Sequence, residues 1–339
     1  MPIWRRRAPS GSPRNWRSGL RTYNDRRETI MNDIVDSSLK TATYLAELLS
    51  PIGLDDFFAE YWDQKPLYIA DGSPRFAGLA DAGRLREIVE SGSPWQYRRL
   101  PEMYLDSGFI PHDQLIVEYT DMDGRRAVSV RQKRVKMLLE AGATANCFGQ
   151  EAHFPELMQL KKRFAEYFSA EVETSLFYSQ QDHPGLAPHY DCVEIFVLQI
   201  SGRKRWYVSS QRQTNPLVGY GQPVSYDHDA PHAVIDLEPG DLLYLPRGSF
   251  HHACALSGES LHTTVAVKMP SYFDLFSALA DIAVGSDDMR GYLPPGGANA
   301  WAAAGPALLE RLSALLEQPA YAAEVQKLLG RRSGGHFHA

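Results

Sequence analysis

Cysteine is scarce in this sequence, with three residues in 339, at positions 147, 192 and 254. An odd, widely spaced set of that size excludes a disulfide framework and points to a reducing compartment. The expected location is therefore cytoplasmic. Long apolar runs are missing as well. None approaches the ~20 residues that cross a bilayer, so no membrane span is expected. A basic excess is also absent: 35 Lys and Arg stand against 41 Asp and Glu, a net charge of −6. That balance argues against direct nucleic-acid binding. What is present is 44% hydrophobic and 22% charged residues, the composition of a globular protein with material for a core. The length fits one large domain with an appended part, or two domains.

The charge is unevenly spread. Residues 1–30 hold eight arginines against Asp25 and Glu28, a net +6, which leaves the remainder at −12. This stretch is rich in Ser and Pro and lacks apolar periodicity, so it is expected to be a disordered basic extension. It has no apolar segment of the secretory kind. An upstream extension with Met31 as the start is the favoured reading. A basic tail that touches RNA or ribosomes and a targeting peptide are the alternatives.

The chain is organised around residues 185–208, GLAPHYDCVEIFVLQISGRKRWYV. Side chains alternate faces along a strand, so His189 and Asp191 point the same way with Tyr190 between them. Alone, a His-x-Asp pair is weak evidence. A second segment, EPGDLLYLPRGSFHHA at 238–253, supplies a downstream His. There, a Pro239-Gly240-Asp241 turn leads into an apolar strand, Pro246-Arg247-Gly248 breaks it, and His251-His252 opens the next. Adjacent strand residues face opposite sides, so only one of those two histidines can join the pair. Two His and one carboxylate with open positions form the facial triad of non-haem Fe(II) oxygenases.

Both segments resemble the cupin-type Jumonji-C (JmjC) oxygenases, and within them the ribosomal oxygenase branch, which hydroxylates ribosomal proteins. The resemblance rests on His189-Tyr190-Asp191, Glu194, Phe196, Leu198-Gln199, Gly202, Lys204 and Trp206. It rests equally on Pro239-Gly240-Asp241-Leu242-Leu243-Tyr244, Pro246-Arg247-Gly248, His251 and Ala253. It runs from about residue 49 to 295 and is specific for fold and triad, less so for substrate. It implies an Fe(II)- and 2-oxoglutarate-dependent dioxygenase that hydroxylates a protein side chain. The iron ligands would be His189, Asp191 and His251, with His251 chosen over His252 by the family's P-R-G-x-x-H spacing. Lys204 stands where the family pairs a cation with the distal carboxylate of 2-oxoglutarate. His262 on the last strand, with Thr264 on the same face, stands beside metal and cosubstrate. Ser175 and Phe177 occupy positions where those oxygenases carry Asn and Tyr near the cosubstrate. No catalytic residue beyond the metal centre is implied.

In chain order, residues 31–173 form an N-terminal α/β part packing on the barrel. Helices are expected over 36–49, 53–62, 80–91, 135–141 and 154–169. A hairpin is expected around Met122-Asp123-Gly124. The aromatics Phe57, Phe58, Tyr61 and Trp62 lie on one helix face and are expected to pack in a core. Residues 174–270 carry strands at about 174–180, 186–191, 193–200, 204–209, 232–237, 241–245, 250–256 and 260–268. Short strands with Gly/Pro turns suggest a small barrel or sandwich. The resemblance makes it the double-stranded β-helix, with flanking helices in a mainly β, α+β fold. Trp206 is expected in the core and Cys192 away from the metal. Residues 271–332 are a C-terminal helical segment that the resemblance implies for homodimerisation, and 333–339 are a tail.

Two other classes of function compete. One is the same oxygenase chemistry on a small molecule or peptide natural product, with lysine demethylation a further option by analogy. The other is a non-catalytic metal-binding cupin, or one that holds zinc or manganese. Lys204 argues against a pure scaffold, which needs no buried cation for a dicarboxylate.

Overall fold

The computed structural model describes residues 41–91, 100–180, 183–217, 219, 224–293 and 295–331. The basic extension at 1–30 and the tail at 333–339 lie outside them. So do residues 36–40 of the first expected helix.

A sheet of nine strands carries the molecule. Its strands are β1 (Leu67–Ile69), β2 (Glu102–Leu105), β3 (Gly108–Ile110), β6 (Thr144–Phe148), β7 (Glu171–Gln180), β8 (Glu194–Arg212), β9 (His232–Leu237), β10 (Leu242–Leu245) and β11 (Ser249–Lys268). Their order is β1-β10-β8-β11-β7-β6-β2-β3, with β9 paired to β8 off that path. β4 (Ile116–Thr120) and β5 (Arg126–Val130) form the separate hairpin that the turn at 122–124 announces.

The expected strands at 193–200 and 204–209 are one strand, β8, and those at 250–256 and 260–268 are one strand, β11. The two run antiparallel along their lengths, from His251↔Val208 to Val267↔Glu194. Both bend in the middle. Gly202 sits there at φ +65, and the β11 register slips between Ala255 and His262. A Cβ at Gly202 would lie 2.0 Å from the Glu259 carbonyl oxygen, so the bend admits no side chain. Bending folds the two halves of the ladder over one another and closes the double-stranded β-helix. The sequence shows a turn at Gly202 but not that the hydrogen-bonded ladder continues through it.

The expected strand at 186–191 is not regular. Pro184 and Pro188 remove donors, and the segment touches β11 through isolated bridges, one of them His189↔His251.

Alternation along β8 divides the core in two. Phe196, Leu198 and Ile200 face the helices, whereas Ile195 and Val197 face the barrel interior with Trp206, Val208, Leu243 and Leu245. Two helices cover the outer face, α1 (Leu54–Glu60) and α2 (Pro155–Phe168). Pro155 opens α2, and Ser169 closes it in the left-handed region. Phe57, expected in a core, is fully buried 5.0 Å from the Tyr244 ring. Trp62 stacks on Phe168 at 4.8 Å. The described residues end in helices including Tyr272–Ala283, Gly305–Leu316 and Pro319–Arg331. A Ser271–Asp274 capping box starts the first of these.

Candidate functional site

The bent ladder leaves a cavity of about 590 Å³ inside the barrel. His189, Asp191, His251, Lys204, His262, Ser175 and Thr264 all line it, so every residue singled out from the sequence reaches one space.

At one end, the side-chain ligand atoms of His189, Asp191 and His251 lie within 4.8 Å of one another. Among the described residues this is the one such group that could hold a metal. The backbone fixes it. His189 and His251 exchange N–H···O bonds of 3.1 and 2.8 Å, and the Gly248 N–H donates to the Asp191 carbonyl at 2.7 Å. Each imidazole turns Nδ1 to a backbone carbonyl, Ala187 at 2.8 Å for His189 and Ser249 at 2.9 Å for His251. A carbonyl only accepts, so Nδ1 carries the proton and Nε2 keeps its lone pair for a metal. The His251 Nε2 stands 3.5 Å from Asp191 Oδ2. Burial, then the neighbouring His189, pushes the His251 pKa down to about 4 against the pull of Asp191. Two imidazoles that present Nε2 beside a carboxylate, with room left for other ligands, fit a divalent iron.

His252 turns away from the triad. It stacks on Tyr207 of the neighbouring strand at 4.7 Å and meets Tyr226 and His232 edge-on. His183 is a partly exposed histidine paired with Asp106 at 3.0 Å.

Deeper in the barrel sits Lys204, 3% exposed. Its ammonium donates to Ser179 Oγ at 2.9 Å, and Thr144 Oγ1 donates to the same oxygen at 3.0 Å. No carboxylate pairs with it among the described residues. Burial therefore lowers its pKa to about 7. Arg203 and Arg205 face the other side, bound to Glu238 at 3.2 Å and Asp236 at 2.6 Å. His262 is buried, stacked on Phe177 at 4.8 Å, and held neutral by burial and by Lys204. Thr264 pairs directly with Ser175 across β11 and β7. A buried cation without a counter-ion, among polar atoms without partners, suits a dicarboxylate that brings the missing charge. His262 Nδ1 and Trp206 Nε1 are two such orphaned atoms.

Other wall residues were not anticipated. Trp206 does pack in the barrel interior, yet it also lines the cavity. Cys192, expected to point away from the metal into the core, is half-buried at the cavity wall. Glu102 and Tyr104 of β2 and Asn146 and Phe148 of β6 also line the cavity. The alternation Thr144-Ala145-Asn146-Cys147 was the available signal, with both polar side chains on one face.

Residues 148–275 match the JmjC domain family. The chain is 27% identical over 252 residues to a Culex quinquefasciatus protein named bifunctional lysine-specific demethylase and histidyl-hydroxylase NO66, covering 71% of this chain and 37% of that one. It is 28% identical over 241 residues to ribosomal oxygenase 2 of Rattus norvegicus, covering 66% and 47%. The chain thus spans less than half the length of these curated relatives. Among solved structures, it resembles YcfD, a ribosomal oxygenase from Escherichia coli in complex with cobalt and 2-oxoglutarate. The TM-score is 0.54 at 19% identity, covering 85% of this chain and 73% of that one. That likeness shows a shared fold.

Proposed function

We propose that this chain, whose residues 148–275 match the JmjC domain family, is an Fe(II)- and 2-oxoglutarate-dependent protein hydroxylase of the ribosomal-oxygenase kind. The observation that carries the reading is the pairing, in one cavity, of the His189–Asp191–His251 triad with the counter-ion-free Lys204. When bound, iron and 2-oxoglutarate supply the insertion of one oxygen atom of O₂ into a substrate C–H bond, with succinate and CO₂ as co-products.

The residues' own work is placement. His189 and His251 present Nε2 because their Nδ1 protons are committed to backbone carbonyls. Asp191 adds a negative charge that offsets the metal's. Lys204 neutralises the distal carboxylate of the cosubstrate, and the barrel wall excludes water around it. Ser175, Thr264 and His262 line the space between. The substrate is a protein side chain, with a ribosomal protein the candidate that the named relatives suggest.

A homodimer completes the proposal. Tyr272, Phe276, Val284 and Leu309 on the C-terminal helices are large, apolar and exposed, which suits a second copy.

The test is iron-dependent conversion of 2-oxoglutarate to succinate, followed by mass spectrometry of ribosomes treated with the enzyme. The proposal expects succinate, and one ribosomal protein heavier by one oxygen atom. Succinate with no modified ribosomal protein would move the substrate to a small molecule or another peptide. No succinate at all would remove the oxygenase reading.

A further inference from the structure

Trp206 is 5% exposed, and among the described residues its indole N–H has no acceptor. A buried N–H without a partner is costly, and native proteins rarely leave one unexplained. Its ring lies between the two halves of the site, 5.7 Å from the His251 ring and 5.5 Å from the His262 ring. His262 Nδ1 is orphaned too, although the two rings are neighbours. Lys204 is two residues before Trp206 on the same strand face. The Phe177 ring ties the group together, stacked on His262 and 5.9 Å from Lys204 Nζ. Lys204, Trp206 and His262 all line the one cavity, so an ammonium, an unpartnered indole N–H and an unpartnered imidazole nitrogen belong to neighbouring residues of its wall. Wall packing accounts for the Trp206 ring but not for its unsatisfied N–H.

We propose that Trp206 is a cosubstrate-binding residue, whose Nε1–H donates to the carboxylate that Lys204 neutralises. In its Nδ1–H tautomer His262 would be the third donor of the set. A carboxylate offers about four lone-pair sites, so it can accept from all three donors at once. Lysine supplies charge, while the indole supplies direction, because its single N–H is fixed by a packed ring. The inference rests on the 2-oxoglutarate reading above.

The test replaces Trp206 by benzothienylalanine, which keeps the bicyclic shape and loses only the N–H, alongside Trp206→Phe. Calorimetry with Mn(II) in place of iron measures the 2-oxoglutarate dissociation constant, and electron paramagnetic resonance measures Mn(II) binding. Loss of a hydrogen bond to a charged group weakens 2-oxoglutarate roughly tenfold or more in both variants. Mn(II) affinity should stay at its parental value in the benzothienylalanine protein, and its melting temperature should be no lower than the parent's, because the orphaned N–H is gone. Parental 2-oxoglutarate affinity in that protein would overturn the role of Trp206 and leave the oxygenase reading intact. Failure of the parent itself to bind 2-oxoglutarate would overturn both.

Discussion

Replacing Lys204 by methionine should stabilise the empty protein while destroying its affinity for 2-oxoglutarate. The lysine has a pKa of about 7 in the fold, against 10.5 for an exposed one. Between those values the unfolded chain binds more protons than the folded one, so parental stability climbs as pH rises through the window. Each pKa unit corresponds to about 1.4 kcal/mol, which puts the full penalty of the buried ammonium near 5 kcal/mol as an upper figure. Methionine removes that penalty and keeps the volume. It also gives up the hydrogen bond to Ser179, about 1 kcal/mol. Relaxation and water penetration reduce the remainder, so the expected net gain at pH 7 is about 1–3 kcal/mol. In a chain of this size that is a rise of roughly 5 °C in melting temperature. Calorimetric melting of parent and variant from pH 6 to 10 is the assay. The difference should shrink as pH approaches 10, because the parent sheds its penalty and the variant has none to shed. A variant that melts below the parent by a constant amount at every pH would refute the buried, unpaired ammonium.

Other outcomes follow from the same geometry. His251→Ala should abolish tight Mn(II) binding, seen by paramagnetic resonance, with the parental circular dichroism retained; His252→Ala should leave Mn(II) binding in place. Glu194 is buried with the Tyr244 hydroxyl donating to it, and burial raises its pKa to about 7 from 4.5. The folded state therefore binds the extra proton between those values, and stability falls as pH rises through them. Glu194→Gln should gain about 1–2 kcal/mol at pH 8 and nothing at pH 4, read from urea midpoints. Gly202→Ala drives a Cβ into the Glu259 carbonyl at a positive φ, so it should cost about 2–4 kcal/mol or prevent folding, measured by thermal melting. Phe276→Glu with Leu309→Glu should turn a dimer into a monomer in light scattering; a parent that is already monomeric would end the dimer proposal.

Much of this site can be read from the sequence because its elements are local. His189 and Asp191 are two residues apart, and Lys204 is fifteen beyond His189 on a strand whose alternation predicts its face. Arg203 and Arg205 turn outward for the same reason. The separation of His251 from His252 needs only strand alternation and the family spacing. Non-local features are harder. The alternation in residues 144–148 shows which side chains share a face, but not that Asn146 and Phe148 arrive beside Phe177 and Ser175, which depends on β6 pairing with β7. The continuity of β8 through Gly202 depends on a partner strand some fifty residues away. Trp206 reads as core from its type alone, and it is core; its orphaned N–H becomes visible only once every neighbour is in place.

The most direct measurement is an anaerobic titration of the Fe(II)-loaded protein with 2-oxoglutarate, following the visible metal-to-ligand charge-transfer absorption, in the parent and in Lys204→Ala. A band that saturates in the parent and is lost or greatly weakened in Lys204→Ala is the predicted result. A well-folded parent that binds iron and shows no band would contradict the cosubstrate assignment and leave a metal-binding cupin of different chemistry.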